Sequence, residues 1–303
     1  MPSASYPFAV GRIRVIEQSL LSSEKIKRLT DASREGFLKE LNDIGFAAEC
    51  PSRESVDELV KWREQQVRGI LADVTPDAAL TELFFLDIDA ANLKLLLKAK
   101  KLGDDPVGYL QKGVFDPLLL RQCVESCDYS PLGEPLGRLV EQAALAPFDA
   151  AALSAAIDNA VYSEIFARLK RHRNGFCYEY FVLKVDCTNL LSALRARKLG
   201  YSEEQFRRQL MAGGRLAAAV PDAVFAGAGR PELAALGVSE EMADAVTAAD
   251  ADSRIAALLE RFAAGSKWDS FGVGPIVNFA VQALGECRTV MVLYARAGRE
   301  EQK

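Results

Sequence analysis

Residues 185–200 read VDCTNLLSALRARKLG, and residues 88–103 read IDAANLKLLLKAKKLG. The two stretches agree position by position at a spacing of 97 residues. Asp89 answers Asp186, Asn92 answers Asn189 and Leu93 answers Leu190. Further on, Leu97 answers Leu194, Lys98 answers Arg195, Lys100 answers Arg197, and Lys101-Leu102-Gly103 answers Lys198-Leu199-Gly200. The shared pattern is D-x-x-N-L-x-x-x-L-[KR]-x-[KR]-K-L-G. Apolar spacing recurs easily between unrelated amphipathic helices, but this set of polar identities does not. The pattern is therefore an internal repeat.

A further shift of about 100 residues brings a degenerate third copy into register. Glu286 falls at the acid position, Thr289 at the amide and Val290 at the leucine, while Ala295, Ala297 and Gly298 replace the basic cluster. An aromatic precedes each acid, at Phe85, Phe181 and Phe279. The 303 residues then divide into three similar units, 1–105, 106–203 and 204–303, the last one degenerate.

On a helical wheel at about 100° per residue, Leu93, Leu96 and Leu97 form one stripe with Asp89, and Asn92 lies at its edge. The second copy repeats the layout with Leu190, Ala193 and Leu194. An unpaired polar group in an apolar stripe is costly, so acid and amide need hydrogen-bond partners, most simply backbone groups at the end of a neighbouring helix. Two readings compete: a catalytic or metal-binding acid in each unit, or a fastener repeated in each. The fastener is favoured, because an active site rarely recurs in every repeat whereas a packing device must. The basic ends (Lys98, Lys100 and Lys101; Arg195, Arg197 and Lys198) complement a helix dipole, and are also candidates for a partner-facing surface.

Helical signals dominate the rest of the chain, which predicts an all-α fold. Val56, Leu59, Val60, Val67, Ile70 and Leu71 recur at helical spacing behind Ser55 as cap, with Glu58 in the capping-box position. Thr75 and Pro76 read as the cap and first residue of the helix or helices that carry the first copy. Residues 154–172 and the second copy form a helical hairpin about Asn174-Gly175. Glycines and prolines cut 203–264 into short helices, and Pro275 opens the closing helix.

Composition is that of a soluble globular protein, 50% hydrophobic and 26% charged. A net charge of −5 argues against nucleic acid as the main partner. The six cysteines (Cys50, Cys123, Cys127, Cys177, Cys187 and Cys287) read as reduced, buried thiols of a cytoplasmic protein. The opening MPSASYPFAVGRIRVIEQ places its charges after the apolar patch, unlike a secretory leader. No window approaches about 18 consecutive apolar residues, so no transmembrane segment is expected.

No catalytic, cofactor or metal site is expected. Cys123 and Cys127-Asp128 lack partners for a zinc tetrad, and the single histidine, His172, lies in the basic run RLKRHR. That run reads as a solvated helix end, with an acidic protein or anionic lipid heads as its next use. GDDP at 103–106 is not the acid-rich motif of an all-helical isoprenoid enzyme, and no phosphate-binding glycine loop follows a strand.

Taken together, YPFAVGRIRVIEQSLLSSEKIKRLTDA (6–32), FFLDIDAANLKLLLKAKKLG (84–103), YFVLKVDCTNLLSALRARKLG (180–200) and GPIVNFAVQALGECRTVMVLYARAG (274–298) resemble the C subunits of archaeal and bacterial V-type (A-type) rotary ATPases, equivalent to the d subunit of the eukaryotic vacuolar enzyme. The resemblance runs from end to end. It departs at Thr289 and the Ala-Arg-Ala-Gly ending, where the family carries an Arg-rich terminus. It implies three helical units around a pseudo-threefold axis, shaped like a funnel. It further implies a non-catalytic rotor adaptor, peripheral to the cytoplasmic face of the membrane. The adaptor would join the proteolipid ring to the central-stalk D and F subunits and transmit torque for proton or sodium transport. A generic helical-repeat scaffold is the alternative.

Overall fold

In the computed structural model, residues 5–216 and 219–300 are described, and every regular element among them is helical. The chain opens with α1 (Tyr6–Ile16), α2 (Ser23–Thr30), α3 (Phe37–Asp43) and α4 (Val56–Val74). It continues with α5 (Ala78–Glu82), α6 (Leu86–Leu102), α7 (Pro117–Ser126), α8 (Leu136–Leu145), α9 (Ala150–His172) and α10 (Gly175–Lys198). Short helices follow: α11 (Glu203–Arg207), α12 (Val220–Phe225), α13 (Arg230–Ala235) and α14 (Glu240–Thr247). Then come α15 (Ala251–Ala264) and the long α16 (Gly274–Glu300).

Local chemistry sets most of these boundaries. Ser55 caps α4 by accepting the Glu58 N–H at 3.2 Å, while the Glu58 carboxylate takes the Ser52 hydroxyl at 2.9 Å instead of closing the box. Asn174 caps α10 through the Cys177 N–H, and α6 stops at Gly103, whose φ of 78° suits glycine. Thr75 is not the cap predicted for the next helix. Its N–H donates to the Leu71 carbonyl at 3.0 Å, which binds it to the end of α4, and helix resumes only at Ala78.

The chain divides into two compact units. One comprises the described residues up to Thr81 together with those from Glu260 on, so both chain ends belong to it. Its core packs Leu29, Phe37, Leu41, Val56 and Leu59 of α2–α4 against Cys287 and Val290 of α16. Within α16, Gly274–Gly298 is the one helical stretch among the described residues long and apolar enough to cross a membrane. Of its most apolar window, 61% is buried in the protein, as in a core helix.

The other unit runs from Glu82 to Leu259. Here α9 packs on α6 and α8, and α10 packs on α12 and α14. Leu190, Ala193 and Phe206 lie in its core with Val220, Val224 and Met242. Lys184 and Asp87, equivalent residues of the two repeat copies, pair with each other, and the ammonium lies 5.6 Å from the Tyr162 ring centre. Burial opposes the charge on Lys184, yet Asp87, Tyr162 and Tyr180 together hold its pKa above the ordinary lysine range.

Candidate functional site

The repeated acid and amide form a clasp on backbone. Asp89, on the buried face of α6, is 0% exposed. Its carboxylate accepts the N–H groups of Val114 at 2.8 Å and Phe115 at 3.2 Å. These residues stand directly ahead of Asp116, which caps α7. Near one turn along α6, Asn92 brackets a single residue. Its Nδ2 donates to the Gln111 carbonyl at 2.6 Å, and its Oδ1 accepts the Gln111 N–H at 3.1 Å.

The second copy repeats this geometry in α10. Asn189 Nδ2 donates to the Met211 carbonyl at 2.8 Å, and its Oδ1 accepts the Met211 N–H at 2.9 Å. Asp186 accepts the Leu216 N–H at 3.0 Å, with the Arg215 N–H beside it. Burial raises the Asp186 pKa, and those two N–H groups and the Arg215 guanidinium oppose the rise. Leu93 and Leu190 are fully buried next to these polar groups.

Each clasp also requires a glycine that sequence reasoning missed. A Cβ on Gly113 would lie closer than 3.0 Å to the Asp89 carboxylate, and one on Gly214 equally close to Asp186. The held backbone can reach the carboxylate only where it carries no side chain. The signal was present, but Gly113 lies 24 residues after its acid and Gly214 lies 28 after its own. A fixed repeat shift therefore does not align them.

In the third copy Glu286 accepts the N–H of Leu21, which stands directly ahead of Ser22, the cap of α2. A residue near the start of the chain is thus held by a helix near its end. Among the described residues the second carboxylate oxygen has no hydrogen-bond partner, and the Arg63 guanidinium lies 3.9 Å from it. Thr289 makes no side-chain hydrogen bond among the described residues. Burial pushes the Glu286 carboxyl up to about 7, against the Leu21 N–H and the Arg63 charge. Glu64 and Glu260 are raised by burial as well, with Arg288 opposing in both cases.

The basic ends divide by role. Lys100 donates to the carbonyls of Val124 at 2.5 Å and Glu125 at 3.3 Å, where it complements the C-terminal end of α7. Arg197 lies beside Gly227, just past α12, and Arg195 pairs with Asp252 at 2.8 Å. Lys98 is half-buried, while Lys101 and Lys198 are exposed; these three form no ion pair among the described residues. One cysteine departs from the expectation of buried thiols. Cys127 is exposed, because it ends α7 at a φ of 57°, and its Sγ lies 3.1 Å from Lys100 Nζ. The other five thiols are buried. Among the described residues no group of three or more His, Cys, Asp or Glu side chains is placed to hold a metal ion.

What the arrangement does chemically is bind peptide groups, holding a segment that follows in the chain, at residues 111–115 and 211–216, against a long helix. Among the described residues every regular element is helical, and the acid–amide pairs of α6 and α10 hold backbone in the same way. A family model described as ATP synthase (C/AC39) subunit matches residues 9–295, and the chain belongs to that family. Among curated relatives, the C subunit of the A-type ATP synthase from Desulfurococcus sp. (strain SY) is 25% identical over 226 residues, 69% of this chain and 62% of the relative. The proteins of the same name from Thermococcus gammatolerans and Pyrococcus abyssi are each 22% identical. Their matches cover 69% and 73% of this chain, and 61% and 64% of their own length. The chain thus spans less than two thirds of the length of the relatives it matches.

Proposed function

We propose that the chain is the central-stalk rotor adaptor of a V/A-type rotary ATPase. The observation that carries the reading is the family match, which runs through residues 9–295 rather than over one helix pair. In this reading the chain caps the cytoplasmic face of the membrane proteolipid ring, receives the foot of the D and F subunits, and transmits torque between them. It is non-catalytic, and peripheral to the membrane as part of the complex. Ion translocation, of protons or sodium, is coupled to ATP hydrolysis or synthesis by other subunits.

We assign the fold of such an adaptor to three similar units, about residues 1–105, 106–203 and 204–303, around a pseudo-threefold axis and funnel-shaped. The acid–amide clasps are the fasteners that keep those units stiff, which a torque-bearing body requires. Lys98, Lys101 and Lys198 are the basic residues left for a partner. A generic helical-repeat scaffold is the weaker reading, because it gives no reason for a family match of this length. Pull-down of a tagged copy from native membranes in mild detergent, with mass spectrometry of the co-purifying chains, tests the proposal. Recovery of a proteolipid with the central-stalk subunits is expected, and recovery of the chain alone would overturn it.

A further inference from the structure

We propose that the cleft at the turn between α9 and α10 is a docking site for an acidic polypeptide segment that carries a large apolar side chain. The cleft is open to solvent, measures about 530 Å³ and is lined by Phe166, Leu169, Lys170, Arg173, Tyr178 and Gly213, with Asn174 and Gly175 at the turn. Its floor is apolar and aromatic. Phe166 and Tyr178 meet edge to face, their centroids 5.7 Å apart, and Tyr178 stays 41% exposed.

The rim is cationic. Lys170 and Arg173 form no ion pair among the described residues, and no carboxylate lines the cleft. Two acids of the same helices are already engaged. Glu179 accepts from Arg215 at 2.6 Å, and Glu164 from Arg168 at 2.6 Å. The C-terminal end of α9 and the N-terminal end of α10 meet at this turn and offset one another, so the charge of the rim is that of Lys170 and Arg173. A cationic rim over an apolar floor selects an occupant with the opposite layout, carboxylates flanking a large side chain. The Phe166–Tyr178 floor offers apolar surface that lipid headgroups cannot use, whereas a large apolar side chain covers it.

The cleft is built rather than incidental. Gly213 has a φ of 104°, and a Cβ there would run into the Phe166 ring. The segment that carries it is positioned by the Asn189–Met211 bonds of the second clasp. The cleft lies wholly within the unit 82–259 and does not depend on the rotor reading. A chain that failed to co-purify with membrane proteins would leave the experiment below unchanged.

The test is fluorescence anisotropy of the full chain with three fluorescein-labelled hexapeptides, EELFEE, KKLFKK and EESSEE. The peptide with both acids and apolar residues should bind about tenfold more tightly than either control, and lose affinity as salt rises. Lys170→Gln with Arg173→Asn should weaken it about tenfold at an unchanged melting temperature, because asparagine tolerates the left-handed backbone at 173. Should the double variant melt early, Lys170→Gln alone serves, with about threefold weakening expected. Equal binding of all three peptides, or no effect of the substitutions, overturns the proposal. So does binding to phosphatidylglycerol vesicles that the variant loses while the peptide fails to bind, which would assign the rim to a lipid surface.

Discussion

The clasps of α6 and α10 differ from that of α16 in the acid, in the residue at the amide position and in how much of the carboxylate is satisfied. In α6 and α10 an aspartate and an asparagine share the work. The amide brackets one residue on both its N–H and its carbonyl, and the short acid takes the N–H groups that follow. In α16 a longer glutamate holds the N–H of Leu21 alone, threonine stands in the amide position, and one buried oxygen is left unpartnered. Burial is what raises the Glu286 carboxyl so far above the ordinary carboxylate range, and with the Leu21 N–H as its one donor among the described residues little opposes that rise. All three acids nonetheless accept backbone N–H groups from a segment outside their own helix.

The comparison breaks most sharply at the acids of the complete clasps. Asp186→Ala leaves the Leu216 N–H buried without its acceptor and frees the Arg215 N–H beside it, and should cost about 3 kcal/mol in denaturant unfolding. An unchanged midpoint with lost partner binding would replace the fastener by a contact role.

The third clasp gives a pH signature. The Glu286 carboxyl titrates near 7 in the fold and near 4.5 in an ordinary environment. Between these values the folded state binds more protons than the unfolded chain, so stability falls as pH rises from about 4.5 to about 7. At roughly 1.4 kcal/mol per pKa unit the decline attributable to Glu286 is about 3 kcal/mol. Glu64 and Glu260 add to the trend in the same direction. Glu286→Gln keeps an acceptor for Leu21 and should remove only its own share, which melting curves at pH 5 and pH 8 would resolve. Parallel curves for variant and parent would show that the third acid is not buried as described.

Smaller effects sharpen the picture. Gly113→Ala puts a methyl against a carboxylate that is held by two N–H groups and cannot move aside, and should cost about 2 kcal/mol by chemical denaturation. Gly11→Ala, at a glycine with open space around it, is the matched control and should be neutral or slightly stabilising. Lys100→Met should cost about 1 kcal/mol through the α7 carbonyls. Lys101→Met, on an exposed residue, should stay within about 0.5 kcal/mol, so any loss of partner binding there would mark a contact surface.

Much of this was legible in advance. Polar identities repeated at 97 residues named Asp89, Asn92, Asp186 and Asn189. Their place in an apolar stripe required hydrogen bonds, because burial without them is costly. The partners were not legible. The held segments follow their helices at unequal distances, and in the third copy the held residue precedes its helix by most of the chain. Lys100 illustrates a second limit. A cation in the last turn of a helix complements that helix's own dipole on sequence grounds, but here it reaches the end of another. Only packing selects between two such ends.

Sequence by itself determined the helical class, the repeated acid and amide at 97 residues, the capped start at Ser55, the hairpin turn at Asn174-Gly175 and the buried rank of the acid and amide. Periodicity, side-chain donors near a helix start and apolar context are all local properties. The tertiary structure alone decided which backbone each clasp holds, that both chain ends share one compact unit, and that the cations at 170 and 173 border an aromatic floor. Each of these depends on which distant segments meet, and that is settled by the summed burial of the core rather than by any short run of residues.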